Sequence, residues 1–288
     1  MTPSSPTIQS FIWPTLVVVA MAAFGVGLMN NAESAPSAES IKTLHGQGYT
    51  DPIPSVGPVD SPVMIVEVAD YNCVWCGMGL TGRAHGKAPF VKRLLAEHDE
   101  VLFVFKHFLV FRRSPVTRQS TEAGAVAALA AQRQGRFWAY HDHLFQHTGD
   151  VWNEKTLVQY ATLLGLDTQQ FIADCQDPAL LQHVRLDDAA SQAVGVPGTP
   201  AMYINGLKVP NVADPADIRR LIQEARQEVL SLVETGKATS VVAARRLSTV
   251  QRAGETYARH FHDHDVVGLT VDDTSELPPT LNPTIGGN

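Results

Sequence analysis

Strand-like apolar runs alternate with helical stretches along the middle of the chain, and this alternation predicts an α/β domain. Three observations carry the prediction. Pro62–Ala69 is a short apolar run rich in β-branched residues, the pattern of a strand buried on both faces. "VLFVFKHF" at 101–108 repeats that pattern after an intervening helical stretch. "AMYI" at 201–204 is a third run, closed by the turn dipeptide Asn205-Gly206 and followed by an amphipathic helix.

Composition sets the limits. A chain of 288 residues with 44% hydrophobic content can bury one sizeable core, with room for an inserted or appended subdomain. A formal charge of −7 without any Lys/Arg cluster argues against a general polyanion binder and gives no footprint for nucleic acid. Three cysteines are too few for a small disulfide-stapled scaffold. No internal repeat occurs.

From the N-terminus, Phe11–Met29 is a 19-residue stretch in which Thr15 is the only polar side chain. As a helix it reaches about 28 Å, close to the ~30 Å bilayer core, so residues 1–29 read as an uncleaved single-span anchor. A cleaved signal peptide is the alternative, against which no Lys or Arg precedes Lys42 and Ala32-Glu33-Ser34 is a poor cleavage pattern. The missing charges leave the orientation unset by the positive-inside rule. Residues 30–59, rich in Pro, Ser and acid, read as a flexible linker that holds a domain off a membrane surface.

The strand at 62–69 leads into "DYNCVWC", with Asn72 a candidate N-cap for a helix that glycines and Pro89 interrupt. Cys73 and Cys76 then share one helix face, near enough for a disulfide. Unpaired N–H groups at the helix start favour an anion and lower the Cys73 pKa. Cys73 is therefore the expected exposed nucleophile and Cys76 the buried resolving thiol. A zinc corner, an inert disulfide and a reversible redox pair are the three readings of such a pair. Zinc lacks two further ligands at matching spacing, and the helix-start position favours redox.

Other candidates read as structural. Cys175, alone on an apolar helical face, is an inert thiol; Phe137 and Trp138 are core; His141 and His143, two apart, are surface or packing residues. Thr199-Pro200 stands just before the "AMYI" strand, where an X-Pro bond is open to the cis form. Asp214 caps a helix running to 233. "SVVAARRLSTVQRAGETYARHF" is a further helix, expected outside the core. His260, His262 and His264 alternate in a tail read as solvated rather than metal-binding, and the end beyond Asp265 has a disordered composition.

Taken together, "VEVADYNCVWC", "FVFKHF", "GRFWAYHDHLF", "YATLLGLDTQQF" and "GVPGTPAMYING", in that order over roughly 60–233, resemble the DsbA-like branch of the thioredoxin-fold oxidoreductases. The resemblance implies a thioredoxin-like domain at 60–235. A helical insertion, about 114–193, would separate its βαβ and ββα halves, with a helical then disordered extension at 236–288. It implies that Thr199-Pro200 is a cis-proline loop packed on Cys73, pairing with a substrate strand as an edge. Val74 and Trp75, between the cysteines, would join Thr199 and Pro200 in contacting substrate. Glu67, six residues before Cys73, matches an acid that moves protons to and from the inner cysteine, and Lys106 on the next strand is positioned to pair with it. No cofactor and no metal are implied.

The chain also departs from the family. Leu109 stands where members often carry proline after "KHF", and Val74-Trp75 lacks the histidine of strongly oxidising members, so the redox potential is not readable here.

The leading expectation is a membrane-anchored periplasmic protein thiol–disulfide oxidoreductase. Substrate proteins with thiols or disulfides, and a membrane partner that recycles the pair, would be its partners. The linker holds no dimerisation domain like that of periplasmic isomerases, which favours an oxidase or a client-specific reductase. The alternatives are a metal-delivery protein and a non-catalytic chaperone or assembly factor on the same scaffold.

Overall fold

The computed structural model describes residues 51–263, except 52, 81–93, 95, 99, 112–114, 149 and 151. The expected span Phe11–Met29, the linker before Asp51, and His264 with the tail after it lie outside the described residues. Among the described residues no helix is long and apolar enough to cross a membrane.

Two fully buried strands form the centre. β2 (Val63–Ala69) and β3 (Val101–His107) run parallel, from Val63 opposite Val101 to Ala69 opposite His107. β1 (Ser55–Val56) pairs antiparallel with β3, β4 (Ala201–Ile204) pairs antiparallel with β2, and β5 (Leu207–Lys208) completes the order β1-β3-β2-β4-β5. Side chains alternate across the sheet, so each central strand supplies two apolar faces. Val63, Ile65, Phe103, Phe105, Met202 and Ile204 join one core; Met64, Val66, Val68, Leu102, Val104 and Tyr203 join the other.

α1 (Val74–Leu80) follows β2. Among the described residues five helices stand between β3 and β4: α2 (Pro115–Gln132), α3 (Phe137–Gln146), α4 (Glu154–Leu163), α5 (Thr168–Cys175) and α6 (Pro178–Val194). Asn153, Asp167 and Asp177 cap three of them through side-chain acceptors, which ends each connecting loop sharply. α7 (Pro215–Glu234), capped by Asp214, buries Ile218, Leu221, Ile222 and Ala225 on the first face. The β4–β5 turn is set by Asn205 at φ +42° and Gly206 at φ +84°. Asn205 also braces the sheet, its Oδ1 accepting from Met64 N at 2.8 Å and its Nδ2 donating to the Pro62 carbonyl at 2.9 Å.

The C-terminal extension differs from the expectation. α8 (Val241–Tyr257) and the π-helical turn Ala258–His262 do not stand outside the core; they close its second face. Tyr257 and Phe261 are buried, with ring centroids 5.3 and 6.2 Å from that of Tyr203. The reason is the two-sided sheet: α6 and its C-terminal loop supply Ala190 and Val196 to this face, and the apolar remainder needs a further layer. Arg245 fastens that layer, donating from Nη1 to the Ser61 carbonyl at 2.6 Å and the Val59 carbonyl at 3.1 Å. His260 and His262 are consequently buried rather than solvated, and burial pushes the His262 imidazole down to about 4. On a π turn they do not line one face as they would on a strand.

Phe261→Ala should therefore cost about 3 kcal/mol or more in urea denaturation, the range for an emptied core aromatic. A change within about 0.5 kcal/mol, as for an exposed tail residue, would contradict the packing.

Candidate functional site

The site forms at the carboxyl end of β2. Because β4 runs antiparallel to β2, with Val68 opposite Ala201, the residues that leave β2 meet those that enter β4. Cys73 and Thr199 meet there: the Cys73 Sγ donates to the Thr199 carbonyl at 3.4 Å, and the Thr199–Pro200 bond is cis.

The turn between β2 and α1 is built by Asp70. Its Oδ1 accepts from Asn72 N at 2.9 Å, and its carbonyl accepts from Cys73 N at 2.9 Å. Gly77 N donates to the Cys73 carbonyl at 3.1 Å, which makes Cys73 itself the cap residue of α1 in place of the expected Asn72. The Asn72 side-chain amide instead reaches Thr121 Oγ1 of α2, at 2.8 Å.

The two thiols are unequal. A hydrogen bond with the Cys76 thiol, opposed by burial and assisted by Thr199 and the N–H groups of Cys76 and Trp75, brings the Cys73 thiol down to about 6. Burial, then the hydrogen bond and charge of Cys73, pushes the Cys76 thiol far up. Cys73, expected to be exposed, is only 4% exposed, with the Thr199 carbonyl against its sulfur. Cys76 is fully buried, while Val74 and Trp75 between them are 49% and 71% exposed. All three cysteines are free thiols.

Glu67 is buried on the core face that also holds both cysteines. It lies opposite Phe105 and Met202, and among the described residues neither carboxylate oxygen has a hydrogen-bond partner. Burial first, and Asp142 second, push it up to about 8. Lys106 does not pair with it. Lys106 stands opposite Val68, one residue out of phase, so it projects from the other face of the sheet. There its Nζ donates to Asp187 Oδ1 at 2.8 Å with both side chains fully buried, and the structure gives it the place of an interior ion pair. Although burial opposes it, Lys106 with His107 holds the Asp187 carboxyl well below the usual range.

Asp70 and Asp188 at the site were not singled out by sequence. Asp70 is 3% exposed and bridges outward as well: its Oδ2 accepts from Val110 N at 2.9 Å and Phe111 N at 3.4 Å. Burial pushes Asp70 up to about 7 against those N–H donors. Its signal was the Asp-x-Asn spacing of a turn; its partners beyond β3 had none. Leu109 donates its N–H to Asp188 Oδ1 at 3.0 Å, a bond that a proline at this position could not make. His141 is buried among Tyr71, Phe105, Phe137 and Phe145, and His143 stacks with His147 and Tyr160, both as packing groups. Phe137 and Trp138 are buried. Cys175 is half-buried in the wall of a cavity of about 390 Å³ between α2, α4 and α5, its thiol pushed up to about 12 by burial. Among the described residues no group of three or more His, Cys, Asp or Glu is arranged to hold a metal ion.

Known proteins share this fold. The sequence profile of the thioredoxin family matches residues 50–224. A thioredoxin-like oxidoreductase from Silicibacter pomeroyi DSS-3 is 27% identical with a TM-score of 0.52, covering 65% of this chain and 97% of that one. Oxidised BdbD from Bacillus subtilis shares the fold at 20% identity and a TM-score of 0.50, over 62% of this chain and 98% of its own. Among curated sequences, a Na(+)/H(+) antiporter NhaA of Herminiimonas arsenicoxydans is 28% identical over 171 residues, 59% of this chain and 25% of that protein. An NhaA 3 of Salinispora tropica is 32% identical over 150 residues, 52% of this chain and 21% of that protein. The chain thus spans about a quarter of the length of these curated relatives.

The raised Glu67 carboxyl fixes a pH dependence. Its proton is held up to about pH 8 in the folded state and released near 4.5 in the unfolded chain. The native state then binds more protons through that window, and its stability falls as pH rises from 4.5 to 8. Glu67→Gln should remove this slope and gain roughly 3–5 kcal/mol over the parent above pH 8, measured by urea denaturation across pH. An unchanged slope would mean that Glu67 ionises freely in the fold.

Proposed function

The chain belongs to the thioredoxin family, with the fold of its DsbA-like members, and on that premise we propose that it exchanges disulfides with proteins through Cys73 and Cys76. The observation that supports this most is the inequality of two adjacent thiols beside the carbonyl of Thr199: one near 6, the other raised by burial. A thiolate is the attacking species in such exchange, and a thiol with a pKa near ambient pH attacks best.

In the reducing direction the Cys73 thiolate attacks one sulfur of a client disulfide, forming a mixed disulfide and releasing the other client sulfur as thiolate. Cys76 then gives up its proton and attacks the Cys73 sulfur. The second client thiolate leaves, and the Cys73–Cys76 disulfide retains the oxidation; two electrons have passed to the client. Oxidation of a client dithiol is the same path reversed. Glu67, neutral at pH 7 on the same core face, is the group suited to exchange the Cys76 proton. Thr199 and Pro200 border Cys73 and, with Val74 and Trp75, form the client-facing surface. Lys106 has no part in this scheme.

Direction is proposed as oxidase or client-specific reductase, with recycling by a membrane redox partner. The apolar segment Phe11–Met29 supports an inner-membrane anchor with the domain in the periplasm, where substrate disulfides persist. Export with cleavage of that segment is the alternative. A periplasm-active reporter fused after residue 60 should be active; activity only of a cytoplasmic reporter there would exclude this placement.

The exchange itself is tested by trapping. Cys76→Ser removes the resolving thiol and should accumulate client adducts on Cys73, visible on non-reducing gels and cleared by reductant. Cys73→Ser should abolish adducts and turnover together. Adducts carried by Cys76 or Cys175 instead would reverse the assignment.

A further inference from the structure

The Asp70 carboxylate uses both oxygens, one on each side. Oδ1 holds Asn72 N, next to Cys73, at 2.9 Å; Oδ2 holds Val110 N at 2.9 Å and Phe111 N at 3.4 Å, in the segment that leaves β3. The backbone of Phe111 is therefore two hydrogen bonds from the turn that carries Cys73. Asp188 holds the same segment from the other side through Leu109 N. A carboxylate can accept on both oxygens, whereas an amide would turn a donor toward one of these N–H groups. Within this clamp Phe111 is 40% exposed, beside a turn that exposes Val74 and Trp75 at 49% and 71%. Through Asp70 the backbone of the exposed Phe111 is tied to the turn that exposes Val74 and Trp75.

Resting on the thiol–disulfide reading, we propose that Asp70 is a positioning residue that pins Phe111 to the Cys73 turn, so that Phe111, Val74 and Trp75 select client cysteines flanked by apolar residues. Phe111 is the specificity-determining residue, and Asp70 acts through it.

The test uses the reduced full chain and two short peptides, Leu-Cys-Leu and Ser-Cys-Ser, each carrying thionitrobenzoate in mixed disulfide on the cysteine. The Cys73 thiolate attacks the peptide sulfur and thionitrobenzoate leaves as a coloured thiolate. Cys76 then displaces the peptide thiolate and closes the Cys73–Cys76 disulfide, one equivalent per chain. The readout is the ratio of the two second-order rate constants, which cancels any loss common to both peptides.

The parent should prefer the Leu-flanked peptide about tenfold. Phe111→Ser, Asp70→Asn and Asp70→Ser should each bring the ratio toward one, and Phe111→Ser combined with either Asp70 variant should lower it no further than one single variant. A merely structural role for Asp70 slows both peptides equally and leaves the ratio intact, which overturns the inference. So does a parent ratio near one, or a parent ratio retained in Phe111→Ser, an exposed position that does not endanger folding. A parent inert toward both peptides overturns the thiol–disulfide reading itself.

Discussion

β2 pairs in parallel with β3 and antiparallel with β4, and this single register decides what meets at the site. The chain leaving β2 at Asp70, the chain leaving β3 at Phe108 and the chain entering β4 at Pro200 must converge on one end of the sheet. Phe108 N donates to the Ala69 carbonyl at 3.0 Å, which extends the parallel pairing to the point where the turn begins. Thr199 reaches Cys73 from 126 positions away because Val68 and Ala201 are partners. The chemistry is thus placed by strands buried on both faces, and their rigidity fixes the distance between the thiol and the carbonyl beside it.

The same register separates two charged systems that the linear sequence places side by side. Glu67 and Lys106 differ by one step in phase, so they occupy opposite faces of a sheet too thick and too dry for them to meet. On one face the Glu67 carboxyl, without a hydrogen-bond partner among the described residues, lowers its cost by keeping its proton. On the other, Lys106 and Asp187 remain close and mutually satisfied at 2.8 Å, with His107 also on the Asp187 carboxylate at 3.0 Å. The two faces differ in what they bring up: among the described residues Glu67 has no ion pair on the first, and the second brings α6 with Asp187 against the end of β3.

What was legible in the sequence was local. The strands announced themselves by unbroken apolar runs, the β4–β5 turn by Asn205-Gly206, and the thiol pair by its position at a strand-to-helix junction. The Lys106 pairing was misread because strand phase is invisible until the register is known, and a slip of one residue moves a side chain to the other face. Asp70 went unmarked because half of its bonds reach Val110 and Phe111, some 40 positions away, through backbone N–H groups that carry no sequence signal. The C-terminal helix was placed outside the core because its own apolar content is thin. The demand for Tyr257 and Phe261 is set by Tyr203 and the second sheet face, not by the helix itself.

Two buried carboxyls three residues apart show how environment divides labour at this end of β2. Both are lifted above the ordinary range by loss of water, Glu67 to about 8 and Asp70 to about 7. Asp70 meets three N–H donors that favour its anion, so its charge remains accessible at neutral pH and its bonds hold the turn. Glu67 meets none among the described residues, so at neutral pH it is a protonated acid without a structural bond to lose. A group that must give and take a proton works best when no hydrogen bond ties it to one state; a group that must hold a loop needs the opposite. The exchange proposed for Cys73 and Cys76 would ask for one of each, and Glu67 and Asp70 differ at the end of β2 in that way.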